Sequence, residues 1–463
     1  MNELPNGWIV ALLADVCELI QDCEHRTPKY SDEGIPALRP RDVVGGRLDL
    51  EGAARVPQSE YELQTRRYAP EPGDVAYSRE LSLGWAAKLP ATRVCLSQGM
   101  VAIKSGSMLA ADYLVHFLNG PGHAHAVGAQ AGSAHPHLNL RDIRALPVPV
   151  ASLAEQERIV TAIEEAFSKA DAGEAGLRKV RRLLKRMREA VLAAAFAGRL
   201  VPQDTADTSA SKLLADLGIE PMASDDELPI GWAQAPMGAV ARWSSGGTPN
   251  AGTARYYGGE IPWAVIGDLT EGLVWNTAAS LTKEGLAKSS AKIVPEGTIL
   301  LAMYGASIGR IGIAARSMAT NQAIACSQPT TQVLAPRYLF WYLRSQRAQF
   351  VAQGKGAAQP NISQTILKAW PIAVPPIEEQ LRIARELERQ FSCIEACERE
   401  IDSGLLRSTA LRRAVLRAAF NGRLVPQDSS NPPASALLER IRADRAANDG
   451  SQGASGRNKV EAS

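Results

Sequence analysis

Downstream of Pro149, apolar or small residues recur at Ile159, Ile163, Ala166, Ala170, Gly173, Leu177, Val180, Leu184, Met187 and Val191. The steps alternate between four and three, which lines one stripe along a helix and makes the seam of a coiled coil. Such a helix, about 44 residues and so roughly 66 Å long, exceeds a small domain's diameter and needs a partner along its length. A second stretch offers one. Phe196 to Asp204 returns as Phe420 to Asp428, an offset of 224 (428 minus 204), and the same offset carries the seam to Ile383, Leu387, Gln390, Ile394, Cys397, Ile401, Gly404, Ser408, Leu411 and Val415. This copy weakens in its middle, where Leu405 and Leu406 can take over, so the loosest packing is expected at Gly404 and Ser408. Pro149 and Pro375-Pro376 precede the two helices, and Glu155, Glu157, Glu378 and Glu379 occupy first turns, where the helix dipole favours acids. Gly198 and Gly422, each followed by Arg-Leu-Val-Pro, mark the ends.

The repeat extends beyond the helices. Leu4-Pro5-Asn6-Gly7-Trp8 returns as Leu228-Pro229-Ile230-Gly231-Trp232, Pro136 as Pro360, Pro147 as Pro371, and Ala210-Ser211 as Ala434-Ser435. One offset serving the start, middle and end of a unit means that a whole module was duplicated. Between these markers the frame is kept and the filling differs. Short apolar runs after glycine turns (Asp74 to Tyr77, Thr298 to Met303) read as strands, and Tyr113 to Leu118 and Tyr338 to Leu343 have helical spacing. The pattern predicts an α/β (α+β) protein. Its expected segments are globular domains at 1–150 and 228–375, long helices at 151–200 and 376–424, a linker with a short helix at 201–227, and a short helix with a disordered tail at 425–463. The tail after Ala447 has nothing apolar to bury.

Composition adds an asymmetry. The net charge is +2, yet residues 1–151 hold 14 Lys and Arg against 17 Asp and Glu, while residues 228–376 hold 12 against 5. Only the second domain announces itself as a partner for polyanions. No uncharged apolar run approaches the ~18 residues of a membrane span, and no signal peptide opens the chain, so a cytoplasmic protein with no membrane contact is expected. The six cysteines form no CxxC pair and read as free thiols.

Catalytic motifs are missing. There is no Gly-x-x-x-x-Gly-Lys-Ser/Thr loop for ATP, and no lysine lies two residues after an acid, as a nuclease site would ask. Asn431-Pro432-Pro433-Ala434 lacks the aromatic residue of an amino-methyltransferase motif and reads as a helix entry. His123, His125, His135 and His137 read as polar loop residues rather than a metal set, because the second module has nothing equivalent. No catalytic residue, metal or cofactor is assigned to the chain.

Three sets of residues carry a family likeness. Ser244-Ser245-Gly246-Gly247-Thr248-Pro249-Asn250 precedes Tyr256-Tyr257-Gly258-Gly259-Glu260-Ile261-Pro262-Trp263 and Gly267-Asp268-Leu269; Gln359-Pro360-Asn361-Ile362-Ser363 leads to Pro375-Pro376-Ile377-Glu378-Glu379-Gln380; and Gly-Arg-Leu-Val-Pro-Gln-Asp occurs twice. In this combination, over residues 1 to about 445, the sequence resembles the specificity subunits of type I restriction–modification systems. The first module departs from the pattern, with His25-Arg26-Thr27-Pro28 for Gly-Gly-Thr-Pro and His135-Pro136-His137 for Gln-Pro-Asn. The resemblance implies two target-recognition domains joined by two long antiparallel coiled-coil helices. It implies a bipartite, asymmetric target on double-stranded DNA, two modification (methyltransferase) subunits and restriction (translocase and nuclease) subunits as partners. S-adenosylmethionine, ATP and Mg would sit on those partners.

Lys29, Arg39, Arg41 and Arg79 in the first domain, and Asn250, Lys292, Arg310, Lys355, Gln359 and Asn361 in the second, sit beside turns or Gly-rich loops. Arg and Lys there can pair with phosphates or guanine, and Asn and Gln with adenine. Gly246 and Gly247 are read as turn-formers. The basic run from Arg178 to Arg188 is read first as the polar face of the coiled coil and second as a contact with spacer DNA. The rival reading is a coiled-coil interaction scaffold with two protein-binding heads and no sequence-specific DNA binding.

Overall fold

A computed structural model of the chain describes residues 4–130, 137–223, 227–354 and 361–443. The tail after Ala447, and Pro136 with its counterpart Pro360, lie outside the described residues. The chain divides into two compact units, Met1–Leu177 with Ser403–Ser463, and Arg178–Asp402. These units cut across the segments anticipated from sequence, because each takes one head together with part of each long helix. The helices α1 (Leu153–Phe196) and α2 (Ile377–Phe420) are both 44 residues long.

Within each unit the two helices run antiparallel. In the first, Arg412 Nη2 donates to Asp171 Oδ1 at 2.8 Å, Ser408 Oγ to Glu174 Oε1 at 2.7 Å, and Leu177 lies against Gly404. In the second, Arg181 pairs with Asp402, and Arg188 Nη2 reaches Glu398 Oε2 at 2.8 Å. Numbers rise on one helix as they fall on the other.

The seam differs from the expected one. Gly173, Val180 and Met187 on α1, and Cys397 and Leu411 on α2, are exposed, while the next residues Glu174, Arg188, Glu398 and Arg412 are half-buried against the opposite helix. A strict four-three repeat holds one face only in a supercoil; in an ordinary helix the stripe drifts by about 20° per heptad. The polar neighbours therefore rotate inward and meet as charge pairs. Gly404 is also not a loose point, since a Cβ there would stand 2.9 Å from Leu177 Cδ1. A missing side chain lets the helices approach.

Each head repeats one plan. In the first unit β1 (Ile9–Leu12) pairs with β6 (Pro147–Val150), and the central sheet runs β2 (Cys17–Asp22), β5 (Met100–Ser105), β3 (Val75–Ser78), β4 (Ala86–Lys88). In the second, β7 (Ala233–Pro236) pairs with β12 (Pro371–Val374). The second central sheet runs β8 (Ala241–Ser245), β11 (Ile324–Pro329), β9 (Ile299–Ala302), β10 (Ile311–Ala314), with Leu273–Val274 added at the edge. Every strand of the first sheet has its counterpart in the same place.

The heads are fixed to the helices by buried polar bonds that the duplication also repeats. Trp8 Nε1 donates to Glu155 Oε1 at 3.0 Å, and Trp232 Nε1 to Glu379 Oε2 at 3.1 Å. Gln156 accepts from Ala110 N and donates to Met108 O and Ala151 O; Gln380 accepts from Ala335 N and donates to Val333 O and Pro375 O. Tyr113 and Tyr338 donate to Pro149 O and Ala373 O. Around these bonds Ile159, Ile163 and Phe420 join the first head's core, and Val191, Ile383 and Phe391 the second's. The short helices after α1 and α2 close the units alike, Ala210 N donating to Gly231 O and Ala434 N to Gly7 O.

Candidate nucleic-acid interface

Strand register brings the distinctive loops of each head to one end of its central sheet. In the first head Val101 lies opposite Asp22, Met100 opposite Ser78, and Tyr77 opposite Ala86. The ends of β2 and β3 and the starts of β4 and β5 therefore coincide, and the loops 23–34, 79–85 and 97–99 leave from the same edge. In the second head Ser245 faces Ala325, Ala302 faces Ile324, and Leu301 faces Ile311, which gathers loops 246–256, 303–310 and 321–323.

A fourth segment docks on each cluster through equivalent bonds. Arg79 N donates to Gly99 O and its carbonyl accepts from Leu138 N; Met303 N donates to Ala323 O and its carbonyl accepts from Ile362 N, all at 2.9–3.0 Å. Glu80 bridges to His137 in one head and Tyr304 to Asn361 in the other. The Gly-Gly-Thr-Pro-Asn segment and Asn361-Ile362, far apart in sequence, thus lie at the same end of the sheet.

The glycines of the first motif serve close approach. A Cβ on Gly246 would lie 1.8 Å from Thr320 O, and one on Gly247 2.2 Å from Ser290 Oγ, while neither has a positive φ. The turn-forming role expected from sequence gives way to close packing: the space these glycines leave is what counts. Trp263 Nε1 donates to Gly247 O and Tyr257 Oη to Pro249 O, and Thr248 is bonded to Gln322, so the loop is held from three sides.

The two surfaces carry different chemistry. The first is crowded with paired charges: His25 Nε2 lies 2.5 Å from Asp22 Oδ2, Arg67 Nη1 3.1 Å from Asp22 Oδ1, and His137 Nδ1 3.1 Å from Glu80 Oε1. Burial pushes the Asp22 carboxyl up, but the bond and charge of His25, with Arg67, outweigh it and hold the group below its ordinary value. Behind them burial raises the Cys23 thiol to about 11. The second surface is open and polar, with Asn250, Tyr304, Gln322 and Asn361 exposed and Arg310 half-buried.

Arg79 lies at the sheet end of the first head, Asn250, Arg310 and Asn361 lie at that of the second, and Lys29 follows β2 in an exposed stretch. Arg39 and Arg41 lie elsewhere, at the 3-10 turn Pro40–Asp42 that follows the short strand Ile35–Leu38. The Arg39 guanidinium binds Asp42 through Nε and Nη2 at 2.8 and 3.0 Å, and Arg41 is exposed. Lys292 is exposed beside Ser290 and Ala291, which pack on the Gly247 loop. Lys355 and Gln359 lie outside the described residues, as does His135. Sequence reasoning passed over Asp22, Glu80 and Tyr304; the 224 offset, which sets Glu80 against Tyr304, was the signal for two of them. Of the histidines weighed as ligands, His123 stacks on Trp85 at 4.1 Å and His137 pairs with Glu80. Among the described residues no group of three His, Cys, Asp or Glu is placed to hold a metal, and no helix is long and apolar enough to cross a membrane.

Comparison with known proteins agrees with this geometry. Residues 229–403 match the family model of the type I restriction modification DNA specificity domain. The chain is 26% identical to the type I restriction enzyme EcoBI specificity subunit of Escherichia coli, covering 96% of this chain and 94% of that protein. Identity to the StySPI specificity subunit of Salmonella potsdam is 23%, over 97% and 98% of the two chains. Among solved structures, a chain from a study of complex assembly and conformational transition of the type I R-M system superposes with a TM-score of 0.66 at 19% identity. It covers 91% of this chain and all (100%) of that one. The HsdS subunit from Thermoanaerobacter tengcongensis gives 0.52 at 18% identity, over 91% and 98%. The resemblance to type I restriction–modification specificity subunits therefore holds across nearly the whole chain.

Proposed function

We propose that this chain is the DNA sequence-recognition subunit of a type I restriction–modification complex, with no catalytic centre of its own. One observation carries the reading: two heads with the same strand order present the same sheet end, and the residues at that end differ. Equal frames with unlike surfaces are what a reader of a bipartite, asymmetric target on double-stranded DNA requires. Half-site spacing then follows from how the protein sets its two readers.

Lys29, Lys292 and Arg310, with Arg41, whose side chain stays 69% exposed although its Nε lies 3.8 Å from Asp42, are available to phosphates or guanine; Asn250 and Asn361 can read adenine. Lys355 and Gln359 flank Asn361 in sequence and join that set. Arg39 and Arg79, faced by carboxylates of their own head, position loops. On α1, Val180, Leu183 and Met187 are 43–47% exposed at helical spacing, an apolar stripe suited to the modification subunits. Those subunits would bring S-adenosylmethionine, and the restriction subunits ATP and Mg.

Replacing residues 228–375 with the matching head of another specificity subunit tests the reading. Sequencing of methylated DNA should find one half of the modified sequence changed and the other kept; an unchanged or wholly lost motif sinks it. The scaffold alternative predicts no sequence-dependent gel shift with the modification subunits present.

A further inference from the structure

We propose that Leu81 is a DNA-contacting residue of the first head, an apolar tip set against the base pairs of that head's half-site. The inference rests on the DNA-reading function proposed above and adds a residue that no motif marks. Leu81 is 85% exposed, the most open large hydrophobic residue among those described, and its φ is +55°. An L-residue with a side chain is strained in that left-handed region, and a leucine there is uncommon.

The duplication supplies the control. Arg79 corresponds to Met303 and Glu80 to Tyr304 by their hydrogen bonds and bridges, so Leu81 corresponds to Gly305. Gly305 has a φ of +64°, and a Cβ built on it would meet nothing within 4 Å. Both loops make the same turn. The second head makes it with the residue that does so without strain, and the first makes it with a leucine whose side chain the fold does not use. A side chain kept at a conformational cost, and packed on nothing, serves something outside the chain.

Its surroundings identify that partner. The loop is braced by its own bonds: Ser78 N donates to Trp85 O, Gly84 N to Ser78 O, and Ser78 Oγ to Glu80 O. Glu80, the acid next to the tip in sequence, is held by His137 and faced by Arg79. Leu81 is therefore open at the sheet end, and the carboxylate of its neighbour Glu80 is paired. An apolar side chain presented in this way can contact a thymine methyl or press on a base step.

The test uses the full chain with its modification subunits and a duplex bearing the methylated sequence of the source cell. Leu81→Gly should leave the melting temperature unchanged or higher, because it relieves the turn. It should weaken cognate binding by about tenfold or more, as expected for losing a buried leucine. The slope of log affinity against log salt should stay the same, because no phosphate contact is lost. On a duplex with the first head's half-site scrambled, variant and parent should bind alike. Cognate affinity within twofold of the parent overturns the inference, as does a loss accompanied by a lower melting temperature or by an equal loss on the scrambled duplex. A parent complex with no sequence-dependent binding would fail the proposed function instead, which keeps the two failures distinct.

Discussion

Gln380 offers the most direct measure of what ties a head to its helix. It is fully buried in the first turn of α2, accepts from Ala335 N at 2.8 Å, and donates to Val333 O and Pro375 O at 2.9 and 2.8 Å. Gln380→Leu keeps the approximate volume and strands one N–H and two carbonyls without water. Each stranded group costs about 1–3 kcal/mol, and three sharing one site that can relax sum to roughly 4 kcal/mol. For a unit the size of Arg178–Asp402, that lowers its melting point by roughly 8–16 °C. Scanning calorimetry on the full chain, with Gln156→Leu as the mirror variant, should move one transition in each case and leave the other in place. A shift below about 3 °C would mean that the carbonyls find other partners and that Gln380 is no anchor. The same variant should weaken methylation through the half-site of the second head.

Other substitutions probe other levels. Gly246→Ala drives a Cβ onto the Thr320 carbonyl and should cost about 2–4 kcal/mol in urea denaturation, an unchanged midpoint counting against the close-approach role. Arg188→Glu should cost up to about 1 kcal/mol, since both partners are partly exposed, and Glu398→Arg added to it should recover most of the loss; no recovery would show that the pair contributes nothing. For pH, burial lowers His116 and His123, both in the first unit. The unfolded chain then takes up protons first, so stability is full above the unfolded value near 6.5 and declines as pH falls toward the depressed folded values. The second head has no histidine, and burial raises its Glu379 carboxyl, which favours the folded state as pH falls, so its melting point should not decline over that window while the first unit's does; His116→Gln should flatten part of the slope.

Much of this was legible beforehand because it depends on spacing. The apolar period, the proline and acid starts, and the glycine stops locate two 44-residue helices, and the offset of 224 pairs every central strand of one head with one of the other. The seam's inner turns were not legible, because a heptad template cannot say where helix drift replaces Gly173 and Met187 with Glu174 and Arg188. Gly404 misled for a related reason: an absent side chain looks like weak packing in sequence and becomes close approach in three dimensions. At the site, Arg39 looked like Arg41 from sequence, and only the fold shows that one binds Asp42 through Nε and Nη2 while the other stays exposed, 3.8 Å from the same carboxylate. Neighbouring loops at a sheet end come from distant segments, and Leu81 gains its meaning only beside Gly305.

The two copies agree and differ in a way that follows from energetics. Trp8 and Trp232, Glu155 and Glu379, Gln156 and Gln380, Tyr113 and Tyr338 keep their identity where the groups are buried and hydrogen-bonded, and there a change strands a partner. At the sheet ends Arg79, Glu80 and Leu81 have become, or come from, Met303, Tyr304 and Gly305, while the backbone bonds and the left-handed turn beneath them persist. Main-chain bonds hold these loops, so their side chains can vary at little cost to folding. A module built in this way can change its surface without changing how it stands on its helices, and under the proposed function two copies of it in one chain would recognise two unrelated sequences from the same frame.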